Sequence, residues 1–140
     1  MNAGHDLARA AQGFLGARFR LHGRDPDLGL DCMGLVEVAL ARAGHRVRLP
    51  CDYTLKMRSI DRFAGVAQSA GLVRAQGEVA VGDILLIHVG PCQYHLGIIG
   101  MDGALVHAHA GLRRVVTTPA PHGEIMACWR LCDDTISGKD

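Results

Sequence analysis

The amino-acid sequence predicts an α+β domain in which N-terminal helices pack on an antiparallel sheet. Apolar residues recur at helical spacing in the first part of the chain. After Gly71, short segments rich in β-forming residues alternate with turn residues. The patterning changes from helical to strand-like only once, which is typical of a domain with segregated helices and strands.

The first predicted helix covers Asp6–Leu15 and stops at Gly16. One face of it carries the apolar residues Leu7, Ala10, Ala11, Phe14 and Leu15. The segment 21–30 that follows is rich in Gly, Asp and Pro and shows no periodicity, so it is predicted to be a loop.

The second predicted helix starts after Asp31, which is placed to cap it, and stops at Gly44. Cys32 then lies in the first turn of this helix. The segment from Cys51 to Gly71 predicts one or two further helices.

Six strands are predicted in the second part of the chain, arranged as an antiparallel meander. Asp102-Gly103, between the third and the fourth of them, is a strong hairpin-turn signal. The predicted strands are Leu72–Ala75, Ile84–Val89, Tyr94–Gly100, Ala104–Ala110, Arg113–Thr118 and Ile125–Leu131.

Length and composition favour one domain, predicted at 1–132, followed by a polar tail at 133–140. The 140 residues are 49% hydrophobic, and their formal net charge of +1 gives no electrostatic footprint for nucleic acid or for an anionic membrane. The first twenty residues lack the pattern of a secretory signal, and no stretch is apolar enough to span a bilayer. We therefore expect cytoplasmic synthesis without a signal peptide, and neither nucleic-acid nor membrane partners.

Cys32 is the candidate nucleophile among five irregularly spaced cysteines, an odd number that does not indicate a disulfide framework. A thiol at a helix N-terminus is near the positive end of the helix dipole, which favours the reactive thiolate. The remaining four are predicted to be buried and structural: Cys51, Cys92, Cys128 and Cys132.

A cysteine nucleophile needs a base, and the base needs a third group to fix its orientation. His95 lies on the strand before the Asp102-Gly103 turn, and His107 and His109 share one face of the strand after it. Pairing of these strands would bring His95 close to both later histidines. Gly97, next but one to His95, is expected to leave room for the end of the Cys32 helix.

Four motifs resemble those of the NlpC/P60 cysteine peptidases and occur in the order of that family: DCMGLV at 31–36, GDILL at 82–86, HLGI at 95–98 and VHA at 106–108. The resemblance implies a papain-like fold and a catalytic triad of Cys32, His95 and His107. It favours His107 over His109 as the third residue, whereas strand alternation alone leaves both open. It implies no cofactor and no metal.

The resemblance also implies a function, which is hydrolysis of D-γ-glutamyl–diamino acid bonds in peptidoglycan stem peptides. It is closest to the small phage and gene-transfer-agent cell-wall peptidases, because FRLHGRDP at 19–26 leading into GLDC at 29–32 is similar to that subgroup. Phage-tail or gene-transfer-agent proteins are the partners it suggests, with incorporation of the protein into a phage-like particle.

Three further residues are expected at the substrate. Asp31 matches the family residue that holds the amino end of the substrate. Phe19 stands where many members have Tyr, and Met33 where many have Ser. Both departures affect substrate contacts and leave the triad intact.

Two alternatives compete with this hypothesis. Cys92, His95, His107 and His109 are N and S ligands of the types that zinc accepts. A phage tail-assembly or structural protein could also keep the fold with little catalysis, because a fold does not fix a function.

Overall fold

The computed structural model describes residues 2–47, 65, 67–68, 71–90, 93–119 and 124–131. Two helices and eight strands have their bounds within these residues, and Gly65, Ala67 and Gln68 are helical as well, which confirms the α+β class. Their bounds are α1 Ala3–Gln12, β1 Arg24–Asp25, β2 Gly29–Leu30, α2 Cys32–Arg42, β3 Leu72–Arg74, β4 Ile84–Gly90, β5 Gln93–Ile99, β6 Leu105–His109, β7 Arg114–Thr118 and β8 Glu124–Leu131.

Helix α1 begins and ends three residues earlier than the apolar pattern predicts. The Asn2 side chain accepts a hydrogen bond from the backbone N–H of His5 at 3.0 Å and so caps the first turn. The helix ends at Gly13, and the prediction that Leu15 belongs to its buried face is wrong, because Leu15 is 42% exposed. Phe14 still packs against the core from the turn that follows the helix.

Helix α2 begins and ends close to its predicted bounds. Asp31 is its N-cap and Cys32 its first residue. Gly44, just beyond its end, has φ +98°, a conformation that glycine adopts without steric cost.

The large sheet is antiparallel throughout and has the strand order β3-β8-β4-β5-β6-β7. The prediction of a simple meander holds for β4 to β7 but is wrong for β8. This strand returns across the sheet to lie between β3 and β4, where both of its edges are hydrogen-bonded.

Two apolar clusters lie on opposite faces of this sheet, because side chains alternate along each strand. The larger cluster joins α1 and α2 to one face and includes Leu96, Ile98, Val106 and Ala108. The smaller cluster lies on the other face and consists of Leu85, Ile87, Ile99, Leu105 and Cys128.

The hairpin between β5 and β6 turns at Asp102-Gly103, as predicted. Gly103 has φ +85°, and the Asp102 carboxylate accepts a hydrogen bond from the Ala104 N–H at 3.0 Å. The segment predicted as a loop at 21–30 instead contains a short antiparallel ladder formed by β1 and β2.

Several predictions fall outside the described residues. They concern most of the helical segment 51–71, the cysteines at positions 51, 92 and 132, and the tail at 133–140. No helix in the described parts of the chain is long and apolar enough to cross a membrane.

Candidate active site

Cys32 is positioned by the cap of α2. The Asp31 carboxylate accepts a hydrogen bond from the backbone N–H of Gly34 at 2.8 Å, which starts the helix at Cys32. The Cys32 residue is 3% exposed and belongs to the larger apolar cluster. Its place in the first turn puts the thiol at the positive end of the helix dipole.

The same carboxylate also holds the loop that precedes the helix. Its second oxygen accepts a hydrogen bond from the His22 N–H at 2.7 Å, and Arg24 Nη1 lies 3.6 Å from its first. His22 has φ +62°, a left-handed conformation that is uncommon for residues other than glycine. Asp31 is 2% exposed, so its observed contacts are with the protein.

Gly34 is required by the close approach of this loop to α2. A Cβ atom built on Gly34 would collide with the backbone carbonyl of Gly23. The spacing of Asp31, Cys32 and Gly34 is therefore explained by local geometry, in which one residue caps the helix and another admits the loop.

His95, His107 and Thr118 form a chain of polar contacts across β5, β6 and β7. His95 Nε2 lies 2.7 Å from His107 Nδ1, and the two rings are nearly perpendicular, with centroids 4.8 Å apart. His107 Nε2 lies 3.1 Å from Thr118 Oγ1. Both ring nitrogens of His107 are therefore within hydrogen-bonding distance of a partner.

The environment of His95 keeps its imidazole neutral at pH 7. Burial, followed by the neighbouring His107 and His109, lowers the pKa of His95 from 6.5 to about 4. A neutral ring has one nitrogen that can accept a proton, as a general base must.

His109 has a different role in the described geometry. Its Nδ1 accepts a hydrogen bond from the Leu112 N–H at 3.0 Å in the turn after β6. Its ring centroid is 5.7 Å from that of His107. His107 rather than His109 is thus the hydrogen-bonding partner of His95.

Residues 17–19 bridge the large sheet to the segment that leads into α2. Arg18 pairs with Arg114 of β7, and Phe19 pairs with Leu30 of β2. The Leu30 N–H donates to the Arg18 carbonyl at 2.8 Å. The start of α2 is therefore connected by hydrogen bonds to the Arg114 end of β7.

That end of β7 lies beside the His109 end of β6, since His109 pairs with Arg114. β5 runs antiparallel to β6, which puts His95 near the same end of the sheet. Helix α2, which begins at Cys32, packs against β5 and β6. The predicted nucleophile and the histidine pair therefore lie toward one end of the sheet.

Side-chain alternation separates the two parts of the predicted triad. Along β5 and β6, His95 and His107 alternate with residues of the larger cluster, which also contains Cys32. The two histidine side chains therefore point to the face of the sheet opposite that cluster. The expected room for the helix end at Gly97 is not there, because a Cβ at Gly97 would lie 2.6 Å from Leu105 Cδ1. The His95–His107 pair is observed, and the approach of the Cys32 sulfur to His95 stays a prediction.

Phe19 and Met33 occupy different environments. Phe19 is half-buried and lines a cleft of about 580 Å³, whose other lining residues are Arg18, Arg20, Leu21, Ala110 and Arg113. Met33 is 1% exposed and packs in the larger cluster, so a substrate contact of its side chain stays a prediction.

Three of the four candidate zinc ligands, His95, His107 and His109, are among the described residues. Cys92 lies outside the described residues. Among those that are described, no group of three or more His, Cys, Asp or Glu residues is arranged to hold a metal ion. The nitrogens of His95 and His107 that face each other are 2.7 Å apart, a hydrogen-bond distance.

Thr118 is the polar residue of this site that the sequence did not reveal. A single Thr in a strand is a common β-forming residue and carries no chemical signal of its own. Its proximity to His107 depends on the pairing of β6 with β7, in which Leu105 lies opposite Thr118.

The sequence from 16 to 133 matches the model of the NlpC/P60 family. No curated protein matches the chain. NlpC2 from Trichomonas vaginalis is one of the similar solved structures, with a TM-score of 0.68 and 22% identity over 92% of this chain and 46% of that one. The chain thus spans about half the length of that protein.

Two other solved structures are peptidoglycan hydrolases by description. The NlpC/P60 domain of SagA has a TM-score of 0.62 and 20% identity over 89% of this chain and 96% of that one. RipB from Mycobacterium tuberculosis has a TM-score of 0.60 and 22% identity over 91% of this chain and 63% of that one. At these identities the likeness shows the fold.

Proposed function

This chain belongs to the NlpC/P60 family, and we propose that it is a cysteine peptidase that cleaves an amide bond in a peptidoglycan stem peptide. Cys32 is the nucleophile, His95 the base and His107 the residue that orients the base. The observation that carries the proposal is the 2.7 Å contact between His95 Nε2 and His107 Nδ1 on strands against which the Cys32 helix packs.

The proposed reaction proceeds through an acyl-enzyme. His95 Nδ1 takes the thiol proton, because Nε2 faces His107. The Cys32 sulfur attacks the amide carbonyl, the carbon–nitrogen bond breaks, and the imidazolium protonates the leaving amine. His95 then takes a proton from a water molecule, which hydrolyses the thioester and frees the Cys32 thiol. The backbone N–H of Cys32 stabilises the oxyanion in both steps.

The low pKa of His95 fits a base that is neutral before the reaction starts. The negative charge that develops on sulfur favours the imidazolium and so offsets part of the lowering during proton transfer. No organic cofactor or metal is needed for these steps.

The proposed substrate is the stem peptide at its D-γ-glutamyl–diamino acid bond. Two similar structures, SagA and RipB, are described as peptidoglycan hydrolases, which supports this class of substrate. The Arg18, Arg20 and Arg113 side chains line the cleft beside Phe19 and suit a peptide that carries free carboxylates. Asp31 and Met33 complete the proposed substrate-binding set.

The proposal extends to the setting in which the enzyme works. The segment 19–32 resembles the phage and gene-transfer-agent subgroup, so we propose that the protein is associated with a phage-like particle. Such a particle must pass through a cell wall when it enters a cell or is released from one. Immunoblotting of purified particles tests this point. If the protein is absent from particles, the proposed association with a particle is refuted, whereas the proposed peptidase reaction is not affected.

The nucleophile is tested with Cys32→Ala and a purified stem tetrapeptide, with the products followed by mass spectrometry. We expect turnover to be lost while the circular dichroism spectrum is retained. Cys128→Ala is the matched control, because Cys128 is also a buried reduced thiol but lies in the smaller cluster. Full activity of Cys32→Ala would refute the assignment, and an intact fold with no cleavage by the wild type would favour a tail-structural role.

A further inference from the structure

The polar chain from His95 does not end at His107. His107 is 7% exposed, and its second ring nitrogen, Nε2, lies 3.1 Å from the Thr118 hydroxyl on β7. β6 and β7 pair in register along all five residues of each strand, so this neighbour is set by the sheet. Three adjacent strands thus contribute one hydrogen-bonded residue each.

The direction of the hydrogen bonds decides whether His95 can act as a base. A neutral imidazole has one N–H donor and one acceptor nitrogen. If His95 Nε2 donates to His107 Nδ1, then His95 Nδ1 carries the lone pair that takes a proton. If His107 Nδ1 donates instead, the proton of His95 is on Nδ1, and the ring cannot accept a second proton there.

The productive direction places a requirement on the far end of the chain. When His107 Nδ1 accepts from His95, the proton of the neutral His107 ring is on Nε2. This N–H then needs an acceptor, because a buried donor without a partner is unfavourable. The Thr118 oxygen is the acceptor at the observed distance.

The requirement becomes stricter once His95 is protonated. Imidazolium has a proton on both nitrogens, so its Nε2 can only donate. His107 Nδ1 must then accept, and His107 Nε2–H must donate to Thr118. As an acceptor for His107 Nε2–H, Thr118 therefore allows the hydrogen bonds that are required when His95 is an imidazolium, after it has taken the thiol proton.

We propose that Thr118 is a positioning residue that holds His107 as its Nε2–H tautomer and thereby keeps His95 Nδ1 available as a base. The inference rests on the proposed function for its catalytic consequence, whereas the tautomer itself is a property of the resting protein. Thr118 acts through His107 and does not contact the reacting atoms.

The direct test is nitrogen-15 NMR of the full chain labelled at histidine, which shows for each ring which nitrogen carries the proton. In the wild type at pH 7, we expect both His95 and His107 to be Nε2–H tautomers. Thr118→Val keeps the shape of the side chain but removes the acceptor, so His107 should shift toward the Nδ1–H form. Thr118→Ser retains the hydroxyl and should keep the wild-type tautomer.

Kinetics gives the second readout. Thr118→Val should lower kcat on the order of tenfold with KM within about twofold, because the base is affected and the substrate cleft is not. Thr118→Ser should restore most of the rate. Thr117→Val is the matched control, since Thr117 is exposed on the same strand and is expected to leave tautomer and rate unchanged.

The possible outcomes separate the two proposals. A wild-type His107 protonated on Nδ1, or a folded Thr118→Val with an unchanged tautomer, would overturn the role of Thr118. If Thr118→Val fails to fold, the wild-type and Thr118→Ser spectra still decide. The expected tautomers together with full activity of Cys32→Ala would retain the Thr118 inference as a statement about tautomers and reject the peptidase mechanism.

Discussion

The two described cysteines have opposite environments. Cys32 lies at a helix N-terminus, whereas Cys128 donates a hydrogen bond from Sγ to Asp83 Oδ2 at 3.3 Å. Burial, followed by this hydrogen bond and the charge of Asp83, raises the pKa of the Cys128 thiol to about 12. The Asp83 carboxylate is itself fully buried and paired with Arg130 at 2.8 Å.

This contrast predicts selective alkylation. With iodoacetamide at pH 7, Cys32 should react and Cys128 should remain unmodified, as measured by mass spectrometry of the tryptic peptides. His95→Asn should slow the labelling of Cys32, because the base that accepts its proton is removed. Equal labelling of both cysteines, or no effect of His95→Asn, would contradict the proposed pair.

The lowered pKa of His95 predicts a loss of stability in acid. Between pH 6.5 and about 4 the unfolded chain binds a proton at His95 that the folded protein does not bind. The free energy of unfolding therefore decreases as the pH falls through this range. The decrease reaches roughly 3 kcal/mol near pH 4, and above pH 6.5 His95 causes no such loss.

The measurement is urea unfolding at a series of pH values. His95→Gln should show a shallower loss of stability between pH 6.5 and 4 than the wild type. His45→Gln, at the other end of α2, should keep the wild-type slope. A wild-type stability that is flat across this range would contradict the neutral, buried His95.

At the scale of elements, the start of α2 depends on its contact with the loop at 22–24. Gly34→Ala would place a methyl group against the Gly23 carbonyl, and this backbone atom is held by the His22 and Asp31 contacts around it. We expect a destabilisation of about 1–3 kcal/mol, measured by thermal or urea unfolding.

Gly13→Ala is the control for this substitution. Gly13 has φ −64°, and the nearest atom to a Cβ there is the flexible end of the Arg42 side chain. Its effect should stay within about 0.5 kcal/mol. Equal effects of the two substitutions would mean that the loop can move away from α2 without cost.

Local signals explain which elements the sequence predicts well. The start of α2 is marked by Asp31 and the β5–β6 turn by Asp102-Gly103, and both are set by neighbouring residues. The position of β8 is not, because pairs such as Ile84 with Trp129 join distant parts of the chain. Helix α1 is shifted because Asn2 caps it, whereas the apolar pattern alone continues to Leu15.

The same distinction applies to the candidate site. Spacing around one predicted hairpin indicates that His95 lies near His107 and His109, and the family resemblance favours His107, which is the observed partner. Thr118 could not be found in this way, because its role depends on the register of a further strand. The expectation that the end of the Cys32 helix lies against Gly97 is wrong, since a side chain of β6 fills that space.

For the molecule as a whole, a net charge of +1 conceals an uneven distribution. Three arginines, Arg18, Arg20 and Arg113, line one cleft with Phe19 and Leu21. If this cleft holds the carboxylates of the stem peptide, raising NaCl from 50 to about 300 mM should increase KM several-fold and leave kcat nearly unchanged.

Single variants locate the effect. Arg20→Gln should raise KM about threefold or more and reduce its dependence on salt. Arg46→Gln, an exposed arginine beyond α2, should leave both as in the wild type. A salt-independent KM in the wild type would remove the cleft from the proposed substrate contacts.

The return of β8 to the middle of the sheet has a consequence for biosynthesis. Strand β4 pairs with β5 along one edge. Its other edge stays unpaired until β8 has been translated, about forty residues later. During that interval the ribosome presents a nascent chain with an open, apolar strand edge, the kind of edge that pairs readily with other chains. The large sheet is therefore expected to be completed only after β8 has been made, and the period before that is when the nascent chain is most exposed to chaperones and to aggregation.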